Sequence, residues 1–236
     1  MASIAIHQIK KKYGEQLALD IPDLQIEAGS ITGVVGNNGA GKTTLFRLML
    51  DLIEATSGQV LVEGQAVAGS KHWKPFTGSY LDEGFLIDFL RPEEFFNFTG
   101  KLYGMDARQV DEQLKSFSRF MQEEVVGQNK YIRSLSSGNR QKVGIIAAML
   151  VLPGLLILDE PFNYLDPSSQ ILVKRLLRED NERRNTTVIV SSHNLNHLTE
   201  ICHRVILLEK GRVIKDLRPP ADDLAGIERY FSLQAE

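Results

Sequence analysis

Residues 36–44, GNNGAGKTT, carry the strongest indication of the fold in this chain. They lie between an apolar run at 31–35, typical of a strand, and an apolar run at 45–52, typical of a helix. The glycines let the backbone turn tightly and point successive N–H groups at phosphate oxygens, and the following helix adds its positive N-terminal end. The pattern G-x-x-x-x-G-K-[ST] in this context predicts a phosphate-binding loop, not a glycine-rich turn that binds nothing.

Each residue of this loop has a predicted role in holding a nucleoside triphosphate. Lys42 is expected to reach the β and γ phosphates, and Thr43 to place its hydroxyl on Mg²⁺. Thr44 is expected to cap the helix or to contact an α phosphate. The predicted binding residues of the loop are Gly36, Asn37, Asn38, Gly39, Ala40, Gly41, Lys42, Thr43 and Thr44.

Composition narrows the class of protein. A chain of 236 residues with 43% hydrophobic residues can bury one substantial core, so one domain is expected. A net charge of -3 gives no electrostatic footprint for nucleic acid, and no nucleic-acid partner is expected. The apolar run at 145–152 is shorter than the roughly 20 residues of a spanning helix. The N-terminus lacks signal-peptide order and Cys202 is the single cysteine, so a cytoplasmic location is expected.

Alternating apolar and polar residues predict a pair of antiparallel strands before the phosphate loop, and further strands follow the loop. Strands are predicted at 4–9 and 17–26, joined by a turn at Tyr13 and Gly14, with a further strand at 60–62. Residues 205–208 and 212–214 predict a closing hairpin. Tyr13 itself has two interpretations: a solvated turn residue, or a platform on which a nucleobase stacks.

Half of the chain's aromatic residues lie between His72 and Tyr103. Periodic patterns predict helices at 92–102 and 107–120, and therefore a small helical lobe inserted between strands. The aromatic side chains either form the core of this lobe or line an exposed groove that receives a helix of another protein. In the second interpretation Phe95 and Phe96 face the groove.

Two further strands carry candidate catalytic residues. The run 155–158 predicts a parallel strand buried on both faces, with Asp159 and Glu160 at its carboxyl end. Asp159 is expected to hold Mg²⁺, and Glu160 to orient and deprotonate the attacking water. The strand at 187–190 runs parallel to it and leads to His193, which is either structural or senses the γ phosphate.

Two helix starts complete the set of polar motifs. Residues 134–142, SLSSGNRQK, precede an apolar helix at 143–150, and such a start is an anion site. Asp166 is a predicted N-cap, with Pro167 at the first position of a helix that ends near Arg183.

Taken together, these motifs resemble the ATP-binding-cassette (ABC) ATPase family over residues 4–217. By this resemblance, residues 36–44 are the Walker A motif, 155–159 Walker B and 163–166 the D-loop. Glu160 corresponds to the family's catalytic carboxylate, His193 to its switch histidine and Tyr13 to its adenine-stacking aromatic. The signature, usually LSGGQ, corresponds to LSSGN at 135–139.

Two positions depart from the family pattern. Ser137 replaces a glycine of the signature, and Asn139 replaces its glutamine with a shorter amide. Glu83 takes the place of the glutamine that the family presents to Mg²⁺ and the nucleophilic water. An acid there can still bind Mg²⁺, but it adds negative charge near the γ phosphate.

The resemblance implies an α/β fold: a P-loop NTPase core of the ABC ATPase type with an antiparallel β subdomain and an inserted α-helical subdomain. One domain, 1–236, would consist of the core with its β subdomain (1–78 and 154–218), the helical signature subdomain (79–153) and a short tail (219–236).

The resemblance also implies a function. Two subunits, most simply a homodimer, close head to tail around two ATP molecules, and an integral membrane permease couples to them, as in exporters with separately encoded permeases. The alternative is a soluble ATPase that acts on a protein or nucleoprotein assembly. The implied catalytic residues are Glu160, His193 and Lys42; the implied Mg²⁺ ligands are Thr43, Glu83 and Asp159. Outside the phosphate loop, the implied ATP contacts are Tyr13, Ser136, Ser137, Gly138, Asn139 and Asp166.

Overall fold

The computed structural model describes residues 3–219, apart from the side chains of residues 123 and 124. The strands are β1 (Ile4–Tyr13), β2 (Gln16–Ile26), β3 (Ile31–Val35), β4 (Ser57–Val62), β5 (Gln65–Ala66), β6 (Thr77–Tyr80), β7 (Leu155–Leu158), β8 (Thr187–Ser192), β9 (Arg204–Glu209) and β10 (Arg212–Leu217). The α-helices are α1 (Lys42–Met49), α2 (Pro92–Leu102), α3 (Ala107–Ser116), α4 (Ser118–Val125), α5 (Ser137–Leu150), α6 (Pro167–Arg184) and α7 (Leu195–Thr199). Almost all of the predicted tail lies outside the described residues.

Within the described range the strands form two sheets. The first is antiparallel, in the order β2-β1-β4-β5, and corresponds to the predicted β subdomain. The second has the order β10-β9-β3-β8-β7-β6, in which all neighbours are parallel except the edge pair β9 and β10. The consecutive strands β3, β8 and β7 are parallel, so their carboxyl ends meet at one edge of the sheet. The sequence predicted this for the two strands that carry Asp159 and His193.

Both faces of the parallel sheet are covered, which explains why its strands are continuous apolar runs. One hydrophobic cluster contains Val35 together with the buried side chains of α2–α5, so the helical lobe packs directly on the core. The other cluster contains Val34, α1 and the inner face of the antiparallel sheet. Adjacent residues of β3 therefore join two different cores, and the sheet is the middle layer of the molecule.

The helical lobe departs from the sequence prediction at two points. The helix predicted at 143–150 begins earlier, at Ser137. The single helix predicted at 107–120 is two helices, α3 and α4, which are separated at Phe117. The N–H of Phe117 donates to Leu114 O at 3.0 Å, which closes the last turn of α3. Phe117 and Phe120 are both buried in the first cluster. The apolar period continues across the break, so periodicity alone did not reveal it.

Two predicted boundaries also shift. The turn between β1 and β2 is at Gly14 and Glu15, so Tyr13 is the last strand residue and lies opposite Gln16. The predicted lobe boundary at residue 79 falls inside β6, which pairs with β7 in the core sheet. Among the described residues, no helix is both long and apolar enough to cross a membrane.

Candidate functional site

The phosphate loop connects β3 to α1 and depends on glycine at two positions. Gly41 has φ 107°, a conformation that a side chain would strain. A Cβ on Gly36 would lie 2.3 Å from Leu208 O, so only glycine lets the loop pass this close to β9. The turn between β9 and β10 fastens the loop, because Gly211 N donates to Ala40 O at 2.9 Å. The loop is therefore held from outside as well as by its own sequence.

Lys42, at the start of α1, is buried, and its ammonium points back into the loop. It donates to Gly36 O at 2.6 Å and to Asn37 O at 3.3 Å. Its Nζ also lies 3.1 Å from Oε1 of Glu160, an ion pair in which Oε1 accepts no hydrogen bond of good geometry. The loop thus presents a positive charge at the position predicted for the β and γ phosphates.

Asp159 follows β7 and is buried between two hydroxyl groups. Thr43 Oγ1 donates to Oδ2 at 2.5 Å, and Ser191 Oγ donates to Oδ1. Burial raises the pKa of Asp159 above its ordinary value, and the hydrogen bonds from Ser191 and Thr43 oppose this shift. The hydroxyl of Thr43 and the carboxylate of Asp159, from separate chain segments, thus meet at one point.

Glu160 adopts the unusual φ of 47° for a residue with a side chain. Its N–H donates to Ser191 Oγ at 2.8 Å, which fixes the turn after β7. Its Oε2 lies 2.9 Å from Nδ1 of His193 and accepts the His193 N–H at 3.2 Å. The carboxylate is therefore held between the ammonium of Lys42 and the ring of His193, so the structure brings together all three predicted catalytic residues.

The chemistry of these donors fits Mg²⁺, which prefers oxygen ligands from one or two carboxylates, hydroxyls, water and phosphates. Thr43 and Asp159 supply such oxygens. Glu83, the third predicted ligand, lies in a 3₁₀ turn (Glu83–Phe85), and its Oε2 is 2.9 Å from Nε of Arg140. Among the described residues, no three His, Cys, Asp or Glu side chains cluster as a metal site. The participation of Glu83 in metal binding stays a prediction.

The signature loop leads into α5 in the helical lobe. Ser136 is the N-cap, and its Oγ accepts the N–H of Asn139 at 3.2 Å. A Cβ on Gly138 would lie 2.7 Å from Tyr164 O, so the D-loop packs directly against this position. Ser137 Oγ accepts a hydrogen bond from Arg140 at 3.3 Å. A helix therefore begins at the signature, with contacts from its own lobe and from the D-loop, and its role as an anion site stays a prediction.

Asp166 is the N-cap of α6, as predicted. Its carboxylate accepts from the N–H groups of Ser168 and Ser169, each at 3.0 Å, and from both hydroxyls at 2.5 Å. These hydrogen bonds, that of the Ser168 side chain first, hold the pKa of Asp166 well below its usual range. The D-loop therefore ends in a rigid turn.

Tyr13 is 48% exposed at the end of β1, and Nζ of Lys11 lies 5.0 Å from the centre of its ring. A half-exposed aromatic ring can stack on a nucleobase. Its role in adenine binding stays a prediction.

The aromatic residues of the helical lobe divide into two sets, and of the two interpretations given for Phe95 and Phe96 the core one is confirmed and the groove one is wrong. Phe96 is fully buried, and Phe95, which borders a groove, is only 7% exposed. Both belong to the core cluster, because α2 packs them against α5 and α3. The exposed side chains of this groove, whose volume is about 210 Å³, are Phe85, Phe98, Leu102 and Tyr103.

Two contributors to the site were not found from the sequence. Ser191 hydrogen-bonds both Asp159 and the backbone of Glu160, and Arg140 contacts both Glu83 and the signature loop. The position of Ser191 two residues before His193, at a strand end shared with Asp159, was the available signal. Nothing in the sequence pointed to Arg140.

Known proteins with similar sequences belong to the family that the motifs resemble. The family model described as ABC transporter matches residues 19–163. The chain is 33% identical over 212 residues to the uncharacterized ABC transporter ATP-binding protein YhaQ of Bacillus subtilis, covering 89% of this chain and 70% of that protein. It is also 33% identical to the bacitracin transport ATP-binding protein BcrA of Bacillus licheniformis, over 94% of this chain and 71% of that protein. The sulfate/thiosulfate import ATP-binding protein CysA of Chlorella vulgaris, named as probable, is 31% identical, with 90% of each chain covered.

Solved structures of ABC transporter cassettes have the same fold as this chain. The structure of an ATP-binding subunit of an ABC transporter superposes with a TM-score of 0.82 at 25% identity, covering 99% of this chain and 95% of that one. A dimeric cassette bound to ADP and Pi has a TM-score of 0.81 at 24% identity, over 91% of this chain and 98% of that one, which shows the shared fold. The chain therefore belongs to the ABC transporter family, as an ATP-binding and ATP-hydrolysing subunit.

Proposed function

We propose that this chain hydrolyses ATP with the residues gathered at the carboxyl edge of the parallel sheet and couples hydrolysis to a separately encoded integral membrane permease, in the direction of export. It would lie on the inner face of the cell membrane through that permease. The observation that carries the coupling is that one short turn, Glu83–Phe85, contacts the signature helix through Glu83 and lines the exposed groove through Phe85.

The proposed chemistry follows from the positions of the charged groups. Glu160 orients and deprotonates the attacking water, and His193, at 2.9 Å, holds its carboxylate in place. Lys42 neutralises the β and γ phosphates. Thr43 and Asp159 would hold Mg²⁺, with Glu83 as a further predicted ligand, and the ion would supply further charge neutralisation when bound. Replacing Glu160 by Gln keeps the shape of the site and removes the base.

A head-to-tail dimer completes the site. The signature residues 136–139 lie on the helical lobe, where Gly138 lies close to Tyr164 of the D-loop, and would meet the ATP of a second copy. The Glu160→Gln variant should bind ATP and accumulate as a dimer because it cannot complete hydrolysis. Analytical ultracentrifugation with and without ATP measures this. A variant that binds ATP but stays monomeric would contradict the sandwich.

The permease is proposed to dock in the groove beside α2. Its exposed apolar side chains, Phe98 and Leu102, are 44% and 68% exposed, and such a surface is typical of a site that receives a helix. Export is proposed because the LSSGN signature and Glu83 resemble exporter ATPases with separate permeases. CysA, which is named for import, and BcrA, which is named for bacitracin transport, are 31% and 33% identical to this chain. The direction of transport therefore needs its own experiment.

The deciding experiment is purification of the tagged chain from its native cells in mild detergent, with identification of co-purifying proteins by mass. An integral membrane protein in near-equal amount, lost with Phe98→Asp and Leu102→Asp, would support the proposal. The matched control is Ile214→Asp, an exposed apolar residue on β10 outside the groove. Recovery of soluble partners alone would favour the assembly ATPase instead. Transport of the permease's substrate in inside-out vesicles would then give the direction.

A further inference from the structure

The two departures from the family pattern meet at one side chain, Arg140. Glu83 stands where the family has glutamine, and Ser137 stands where it has glycine. Oε2 of Glu83 lies 2.9 Å from Nε of Arg140, and Arg140 Nη2 donates to Oγ of Ser137 at 3.3 Å. Arg140 also donates through Nη1 to Leu135 O at 2.7 Å. One guanidinium thus contacts the Glu83 turn and both neighbours of Ser136.

From these contacts we infer that Arg140 is a positioning residue for the ATP-bound dimer: it fixes the signature loop and offsets the charge of Glu83. The inference rests on the proposed head-to-tail dimer, in which Ser136 to Asn139 contact the partner's ATP. Arg140 does not itself need to touch the nucleotide.

The electrostatics explain why the two departures belong together. Nε of Arg140 is buried and has no hydrogen-bond acceptor, so its attraction to Glu83 is an ion pair without hydrogen-bond geometry. The neutral glutamine of the family would leave this buried cationic nitrogen uncompensated, and Glu83 without Arg140 would add an unbalanced negative charge near the γ phosphate. The hydroxyl of Ser137 gives the guanidinium an acceptor that glycine lacks.

The neighbouring acid anchors the same turn to the other lobe. Asp82 is the N-cap of the Glu83 turn, and its Oδ2 lies 3.4 Å from Arg47 on α1, the helix that follows the phosphate loop. Asp82 and Glu83 therefore attach one turn to α1 of the core and to α5 of the helical lobe. Arg140 sets the position of the signature relative to the phosphate loop through this connection.

The test measures the dissociation constant of the ATP-bound dimer in a Glu160→Gln background by analytical ultracentrifugation. Arg140→Gln is expected to weaken the dimer by about tenfold, the size expected for one ion pair and one or two hydrogen bonds. Adding Glu83→Gln to Arg140→Gln should restore at least about threefold of this loss, because it removes the uncompensated charge. Arg140→Lys keeps the charge but not the forked donor groups. Its dimer dissociation constant should therefore lie between those of the Glu160→Gln parent and of Arg140→Gln.

The matched control is Arg175→Gln, which removes an exposed ion pair with Glu179 on α6 and should leave the dimer unchanged. A dimer unaffected by Arg140→Gln, or two substitutions whose effects multiply independently, would overturn the inference.

A second measurement does not depend on the dimer. In the ATP-free monomer, Arg140→Gln should speed amide hydrogen exchange at Leu135 and Asn139, which donate to Ile132 O and Ser136 Oγ. Unchanged exchange would overturn the role of Arg140 in fixing the loop. If the Glu160→Gln parent fails to dimerise with ATP, the proposed dimer fails, while the exchange result still decides the anchoring of the loop.

Discussion

Functional side chains at the carboxyl edge of the parallel sheet are held by partners within the chain, whereas those on the surface of the helical lobe are exposed to solvent. At the sheet edge, Lys42, Asp159 and Glu160 are each held by partners within the chain. On the helical lobe, Phe98 and Leu102 project into solvent beside the buried Phe96. The edge is preorganised for chemistry because its charges are already oriented, and the lobe surface is suited to a partner because its apolar area is exposed.

The largest effect expected from this contrast is on the two faces of α2. Phe96→Asp should lower the free energy of unfolding by more than about 4 kcal/mol, because it removes a buried ring and buries a charge. Phe98→Asp should change it by less than about 1 kcal/mol. Urea unfolding monitored by circular dichroism measures both. Similar losses for the two variants would show that Phe98 is also a core residue.

At the sheet edge, Lys42→Ala should lower ATP affinity by about 10- to 100-fold, because a hydrogen bond to a charged group is lost. Isothermal titration calorimetry with ATP and Mg²⁺ measures this. Lys74→Ala is the matched control, since Lys74 is an exposed lysine that lies over the ring of Trp73. Full affinity in the Lys42 variant would show that the loop backbone alone holds the phosphates.

The hydroxyl of Ser191 tests how strongly the edge is held together. Ser191→Ala should destabilise the protein by about 1–3 kcal/mol, because one oxygen of the buried Asp159 loses its donor and the N–H of Glu160 loses its acceptor. Ser168→Ala removes a hydroxyl that donates to the exposed Asp166 and should cost less than about 1 kcal/mol. Equal costs in urea unfolding would contradict the difference between buried and exposed partners.

The smallest effect concerns the cap of α6. Asp166→Ala should cost about 1 kcal/mol at pH 7, and Asp166→Asn should cost less because it can still accept the backbone N–H groups. Since the hydrogen bonds of Ser168 and Ser169 lower the pKa of Asp166, the charged form stabilises the folded state above the unfolded pKa. This contribution should be lost as the pH falls below about 4. Urea midpoints of the unsubstituted protein and of Asp166→Ala at pH 7, 5 and 3 test this. A stability difference between them that grows in acid would contradict the prediction.

Local sequence patterns were sufficient to predict the site at the sheet edge, because each motif there comes with the strand or helix that identifies it. The loop at 36–44 is flanked by the strand and helix it requires, and the prediction that two apolar runs are parallel core strands ending at a shared edge is confirmed. The convergence of Lys42, Glu160 and His193 followed from topology. The same logic did not extend to the helical lobe, where the prediction of one helix at 107–120 was wrong and where the sequence left open whether Phe96 lies in the core or faces a groove.

Local patterns were enough to predict the phosphate loop, the two strands that carry the catalytic residues, the antiparallel pair of strands before the loop and the cap at Asp166. These features depend on backbone conformation and on residues close in the chain, which a local pattern encodes. The folded structure was needed to show which ring of α2 is buried, that the helix predicted at 107–120 is interrupted at Phe117, and that Arg140 joins Glu83 to Ser137. Each of these depends on which surfaces pack together across distant segments, and on the burial and charge that this packing produces.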